Sequence, residues 1–402
     1  MLVNEYIVIV GQQPWDTTLG SNCKDIALEF SKHNQVLYVN SPLDRFTAIT
    51  GKNDAQIQKR KEVIAGKQPG LVKIKENLWN LYPDCLVESI NWLKPFWLFD
   101  WVNRYNNRQF ATAIKNALAV LGFNDYILFN DNELIKCFYL TAYLHPKLKI
   151  YYSRDYILST PYWKKHGFEL EPKIIAKNDL CFTNSAYLMD YCKQYNPHSY
   201  DIGQGCNVPA MTTAGLAELD DLSGVHKPII GYVGALQSIR LDIELLAYIA
   251  SHKPHWSLVL VGPEDEQFAQ SELHSFSNIF FTGSKKANEL MHYIQAFDVC
   301  INPQLINQLT IGNYPRKIDE YLTLGKPVVA THTRAMDMFQ DFVLLASDKH
   351  EFLQQLERAV AEQASAETIG KRKAFAASHS WENSVGKMYG IMETYLSKLN
   401  NK

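Results

Sequence analysis

Residues 307–331 read NQLTIGNYPRKIDEYLTLGKPVVAT, and the order of residue types sets out a polar loop, a short helix, a turn and a buried strand. Pro315 suits the first turn of a helix, where its missing N–H removes no bond. Ile318, Tyr321 and Leu322 then supply an apolar i, i+3, i+4 face, which leaves Glu320 pointing elsewhere. Gly325 suits the left-handed residue past a helix C-terminus, and Lys326-Pro327 stops the run ahead of Val328-Val329-Ala330-Thr331. Unpaired N–H groups and the positive dipole end at a helix start favour a phosphate, and a carboxylate farther along, as at Glu320, can accept bonds from ribose hydroxyls. The alternative is that Arg316, Lys317 and Glu320, at i, i+3 and i+4 spacings, form a solvated ion-pair face.

Outward from this stretch, short β-branched runs alternate with helical periods, the pattern of a parallel sheet covered by helices, so the class is α/β. Strands are expected at 6–10, 35–40, 126–130, 149–153, 180–183 and 199–202 in one set. A second set is expected at 229–233, 257–261, 278–282, 298–302, 327–330 and near 342–345. Two such sets imply two Rossmann-like halves. Turn residues Gly203-Gln204-Gly205-Cys206-Asn207 end the first set and a polar stretch, 209–227, leads to the second, which places domains at 1–207 and 208–378. The closing segment 379–402 holds an amphipathic helix at 381–396. No further internal repeat and no low-complexity segment is present.

A chain of 402 residues, 47% apolar and 12% aromatic, can fill two cores. Its formal net charge of −2 provides no global field toward nucleic acid or an anionic bilayer, so no nucleic-acid partner is expected and any membrane contact must be local. Cys23, Cys85, Cys137, Cys181, Cys192, Cys206 and Cys300 are odd in number and lack C-x-x-C or zinc-type spacing. Reduced thiols in the core of a cytoplasmic protein are therefore expected. No basic leader precedes the first strand and no apolar run approaches the ~20 residues of a membrane span, so neither export nor a transmembrane segment is expected.

Residues 307–331 resemble the carboxylate motif of the retaining nucleotide-sugar glycosyltransferases of the GT-B fold. In that motif two glutamates eight positions apart flank the donor, and the second precedes a Gly-x-Pro-Val-Val turn. Glu320 and Gly325-Lys326-Pro327-Val328-Val329 match the second half, while Gly312 stands where the first glutamate would fall. Asn307, Leu309, Thr310, Pro315, Lys317, Glu320, Tyr321 and Leu322 fit a polysaccharide-assembly, teichuronic-acid-type subgroup, of which the missing first carboxylate is expected to be a trait. The resemblance is specific only around 300–331. It implies two Rossmann-like domains facing a cleft, a closing helix that crosses back to the first, and a UDP- or GDP-linked sugar as substrate, with no cofactor or metal. It also implies retention, with the departing diphosphate assisting the attacking hydroxyl.

Ligands of open α/β sheets bind beyond the carboxyl ends of the strands. Gly231-Tyr232-Val233-Gly234-Ala235 ends ahead of a helix at 242–249, so N–H groups at Gly234 can approach a diphosphate. Relatives often place an arginine and a lysine in this loop; here Arg240 is its only cation, and Lys317 and Arg316 share the neutralisation. Val261-Gly262-Pro263 and Thr282-Gly283-Ser284 close two further strands where a base can lie against backbone, plain β–α turns being the alternative. Asn302-Pro303-Gln304 leads to a loop whose Thr310, Gly312 and Asn313 are expected to face the donor sugar. Donor-binding candidates are thus Gly234, Gly283, Thr310, Gly312, Asn313 and Glu320, with Arg240 and Lys317 offsetting the leaving charge.

In the first half, Gln12, Trp15 and Asp16, followed by Gly20-Ser21-Asn22, form a polar loop whose tryptophan either stacks on an acceptor sugar or plugs a local core. Arg154-Asp155 follows a strand where relatives place a His-Asp or Asp-Asp pair, which makes Asp155 a catalytic candidate and a structural ion pair the alternative. Thr183-Asn184-Ser185 and Asn130-Asp131-Asn132-Glu133 read as helix N-caps. Residues 90–101, INWLKPFWLFDW, followed by Arg104 and Arg108, interleave aromatics with bases. Contact of 90–108 with a membrane headgroup layer is one reading and core filling the other.

The expected activity is transfer of a sugar from a nucleoside diphosphate to a hydroxyl of a glycan or lipid-linked glycan in surface-polysaccharide assembly, in the cytoplasm, with the inner face of its membrane as one placement. A GT-B nucleotide-sugar epimerase would share the donor site but need acid/base groups in the cleft. A non-catalytic sugar-nucleotide binder would account for Gly312 directly.

Overall fold

The strand Tyr6–Gly11 (β1), YIVIVG, is apolar without alternation and its last five residues are buried, as in a strand covered on both faces. The computed structural model, which describes residues 2–17, 21–206 and 219–400, sets it inside an eight-stranded sheet. The other strands of this half are β2 (Gln35–Asn40), β3 (Leu43–Asp44), β4 (Leu71–Lys75), β5 (Leu78–Leu81), β6 (Leu86–Val87), β7 (Ile127–Asp131), β8 (Leu148–Ser153), β9 (Leu180–Thr183) and β10 (Ser199–Asp201). Their order is β10-β9-β8-β7-β1-β2-β5-β4, with β3 and β6 paired apart. Val8 of β1 stands opposite Leu37 and Leu128 in parallel register, and β4 alone runs antiparallel, against β5.

The second half holds β11 (Ile229–Val233), β12 (Ser257–Val261), β13 (Ile279–Gly283), β14 (Val299–Asn302), β15 (Val328–Thr331) and β16 (Leu344–Ala346). All pair in parallel, in the order β13-β12-β11-β14-β15-β16. The chain leaves β11 toward one edge, then returns to β14 on its other side. That reversal opens a crevice at the carboxyl ends of β11 and β14, and it positions the loops described below.

The chain divides into two compact units, Met1–Gly205 with Trp381–Lys402, and Cys206–Ser380. Asn207, residues 209–218 and Gly20, which figure in the expectations above, lie outside the described residues. The closing helix Trp381–Asn400 belongs to the first unit. Its Trp381, Val385, Met388, Tyr389 and Met392 form one buried stripe that packs with Ile26 and Phe30. Asn34 donates from Nδ2 to the Tyr389 hydroxyl at 2.8 Å.

The twelve strands expected from the sequence are present, with ends shifted by at most two residues. The β4–β5 hairpin was not foreseen: its two-residue Glu76-Asn77 turn lacks the Asn-Gly or Asp-Gly signal. Nor was the 26-residue helix Phe96–Leu121, whose aromatic start obscures its period. The helix of the opening stretch is Lys317–Thr323, so Pro315 lies ahead of it rather than in its first turn. Glu133 accepts from the N–H groups of Ile135 and Lys136 at 3.0 and 3.1 Å but caps only a turn, since the next helix is Leu140–Leu144.

Candidate functional site

In the second unit the loop after β11 and the loop after β14 are stitched together by two backbone bonds and one from the Asn307 side chain. Asp242 N–H donates to Pro303 O at 2.9 Å, Leu305 N–H to Arg240 O at 2.8 Å, and the Asn307 amide to Ile239 O at 2.8 Å. Arg240 is thereby carried beside residues 303–310, and its guanidinium makes no hydrogen bond or ion pair among the described residues. Thr310 is buried, with its hydroxyl accepting from Asn307 N–H at 3.0 Å and donating to Leu305 O. Its side chain is committed to the loop's own shape.

Lys317 and Gly234 meet. The Lys317 ammonium donates to the Tyr232 hydroxyl at 2.6 Å and lies 4.3 Å from that ring's centroid. It also lies 3.2 Å from where a Cβ on Gly234 would stand, so the cation overhangs a bare backbone turn. Gly234 and Gly262 both have positive φ, 144° and 150°, and a Cβ on Gly262 would lie 2.0 Å from Gly234 O. Only glycine at 262 lets the two β–α turns approach this closely. Gly283, φ +68°, ends β13 in open space after a register shift.

Glu320, one turn past Lys317, is half-buried and has no hydrogen bond or ion pair among the described residues. Burial pushes its carboxyl up, against the pull of Arg316 and Lys317. A carboxylate withdrawn from water without a partner is costly to the empty protein and ready to accept from a ligand. Among the described residues, four buried polar atoms of this unit lack hydrogen-bond partners: Thr282 Oγ1 on β13, Thr331 Oγ1 at the end of β15, Thr333 Oγ1 just beyond it, and Arg316 Nε. Thr282, Arg316 and Thr331 lie in stretches singled out from the sequence, and Thr333 does not.

Asp319, beside Glu320, was also missed. It is fully buried and accepts from the Tyr314 hydroxyl at 2.7 Å and from His379 Nδ1 at 2.7 Å. Among the described residues no group of three or more His, Cys, Asp or Glu is placed to hold a metal ion. The seven cysteines are free, and burial pushes the Cys206 thiol up to about 12.

Gln12, Trp15, Asp16 and Asp155 belong to the first unit, and the guanidinium of Arg154 joins two of them. It binds Asp131 at 2.8 Å, Asp155 at 3.0 Å and the Gln12 side chain at 3.1 Å. Burial opposes its charge, but Asp131 and Asp155 hold it charged. The Arg154–Asp155 pair expected as the alternative is therefore present, while Asp131, fully buried, is the stronger anchor. Trp15 is half-buried, packs edge-on to Tyr38 at 5.1 Å and lies under Lys24; Asp16 pairs with Arg60 at 3.1 Å. The loop is a packed plug with one face left open.

Residues 227–362 match the family model described as glycosyl transferases group 1, so the second unit carries a group 1 glycosyltransferase domain. A Bacillus subtilis (strain 168) protein named "Putative teichuronic acid biosynthesis glycosyltransferase TuaH" is 29% identical over 121 residues, which span 30% of each chain. Three solved structures share the whole architecture. Sucrose-phosphate synthase of Thermosynechococcus elongatus matches with a TM-score of 0.64 and 15% identity over 98% of this chain and 100% of that one. HepE of Anabaena, in complex with UDP and glucose, matches at 0.61 and 14% over 99% and 100%. The α,α-trehalose 6-phosphate synthase of Burkholderia multivorans matches at 0.67 and 13% over 99% and 100%. At such identities they define the fold, and it is GT-B.

Proposed function

We propose that the protein transfers a sugar from a UDP- or GDP-linked donor to a hydroxyl of a glycan or lipid-linked glycan, with retention, in the cytoplasmic assembly of a surface polysaccharide. The observation that carries this reading is the placement of Lys317 over the Gly234 turn with the unpartnered Glu320 one helical turn away. A diphosphate against the turn brings its charge to Lys317, and Arg240 has no other partner to leave. Glu320 accepts from ribose hydroxyls, which removes the cost of its burial.

As the bond from the sugar to the diphosphate breaks, negative charge grows on the leaving oxygens. Lys317 and Arg240 stabilise it in this reading, in place of a metal. Retention draws on the resemblance at 307–331, and the polysaccharide role on the name of the Bacillus relative.

The test is incubation with a panel of UDP- and GDP-sugars and detection of free nucleoside diphosphate. Release that depends on added glycan acceptor is expected. Epimerised donor without a new linkage would favour the epimerase, and binding without turnover the non-catalytic reading.

A further inference from the structure

The first unit carries a surface that the transferase reading leaves unused. Trp92, Trp97 and Trp101 are 70%, 73% and 68% exposed, although indoles are rarely left in water. The residues between them behave otherwise: Leu93 and Phe99 are buried, so the segment serves the core with one face and presents its tryptophans with the other. On the helix Phe96–Leu121, Trp97, Trp101, Tyr105 and Arg108 follow one stripe.

Neighbouring segments extend the patch. The helix Arg45–Thr50 buries none of its residues and exposes Phe46 and Ile49. Phe46 N–H donates to Ser89 Oγ at 2.8 Å, Trp92 Nε1 donates to Ser89 O at 2.7 Å, and the Asn91 amide donates to Tyr162 O at 2.9 Å. The Asn106 side chain bonds both backbone groups of Glu88 at 2.9 Å. The loop at 88–92 thus holds three elements side by side, and among the exposed aromatic side chains of the described residues Tyr195 alone lies outside 46–49, 92–105 and 162–168.

The charge around the patch has one sign left over. Its acids are neutralised, Glu88 by Arg45 at 2.6 Å and Asp100 by Arg104 at 3.0 Å. Lys94, Arg108, Lys164 and Lys165 are exposed and have no ion pair among the described residues. Free lysines are depleted from the centres of protein–protein interfaces, whereas tryptophan with lysine and arginine is the composition that settles at a bilayer's headgroup level. We propose that this face docks the protein on an anionic membrane surface, with the indoles among the headgroups and the four cations against the lipid charge. The assignment is independent of the transferase reading. No helix of the described residues is long and apolar enough to cross a membrane, so the contact is peripheral if formed by this chain's helices.

Flotation with phosphatidylglycerol-rich vesicles, against pure phosphatidylcholine, tests it. The protein is expected to float with the anionic vesicles, less so as salt rises. Partitioning should fall about tenfold or more in Trp97→Ser/Trp101→Ser, whose side chains leave the core untouched, and likewise in Lys94→Glu/Arg108→Glu. Far-UV circular dichroism and the unfolding midpoint serve as the fold control. Absence of binding, unchanged binding in either folded double variant, or a dimer that the tryptophan changes dissolve without any vesicle binding would overturn the proposal.

Discussion

Nδ1 of His379 lies 2.7 Å from Oδ1 of Asp319, and the backbone oxygen of the same histidine accepts from Cys206 N–H at 2.7 Å. The two ends of the second unit's chain segment, at Cys206 and at His379 next to its last residue, are thereby gathered at the helix that presents Lys317 and Glu320. Asp319, fully buried, therefore braces that helix.

Asp319→Ala removes the carboxylate that lies 2.7 Å from both the Tyr314 hydroxyl and His379 Nδ1, and a loss of about 1–3 kcal/mol in urea unfolding is expected. The pH dependence follows from burial, which raises the Asp319 carboxyl although His379 and Tyr314 pull it down. A carboxyl raised in the folded state stabilises below its unfolded pKa of about 3.9 and loses that contribution as pH rises through the folded value. The stability of wild type relative to Asp319→Asn should thus decline upward from about pH 4. A flat difference would show that burial does not govern this group.

Glu320 has the opposite role. With no partner of its own, it should cost the empty protein stability at neutral pH, so Glu320→Gln is expected to raise the unfolding midpoint there and leave it unchanged in acid. The same change and Glu320→Ala should weaken UDP binding by about 1.5–3 kcal/mol in calorimetry. Unchanged UDP affinity in the folded variants would remove Glu320 from the donor site.

Much of this was legible in the sequence and the remainder has identifiable causes. Strands buried on both faces announce themselves as short apolar runs, so β1, β11 and β15 could be read directly. Glu320 was visible through the residues around it. Asp319 was not, because in Lys-Ile-Asp-Glu-Tyr it reads as one more solvated charge, and the histidine that explains it stands 60 positions away. The Arg154 anchor escaped for the same reason: Asp131 lies on a neighbouring strand and looked like a cap. Trp15 was recognised as out of place in a polar loop, but only the position of Tyr38 decides how far it is buried.

Lys317 and Arg240 should separate in stability but not in turnover. Lys317→Met removes the bond to the Tyr232 hydroxyl, whereas Arg240→Met removes no intramolecular bond among the described residues. Each is expected to lower donor turnover by about 10²-fold or more, and a chelator should leave wild-type turnover intact. Activity abolished by chelator and restored by magnesium or manganese would overturn the cation account.

The approach of Gly262 to Gly234 gives the sharpest steric test. An alanine at 262 would put its Cβ 2.0 Å from Gly234 O at φ +150°, so the turn after β11 has to move. Gly234 N–H donates to Val261 O at 2.9 Å, and that bond is strained by the same shift. Gly262→Ala is expected to cost about 1–3 kcal/mol of stability and, by moving the Gly234 turn away from Lys317, to weaken UDP binding as well. Gly122→Ala is the control. It has the same handedness of backbone, φ +69°, with nothing within 4 Å of the added methyl, and it lies in the first unit. It should lose about 1–2 kcal/mol through φ alone and keep the UDP affinity of wild type. Equal UDP binding by both variants would mean that the Gly234 turn does not contact the nucleotide.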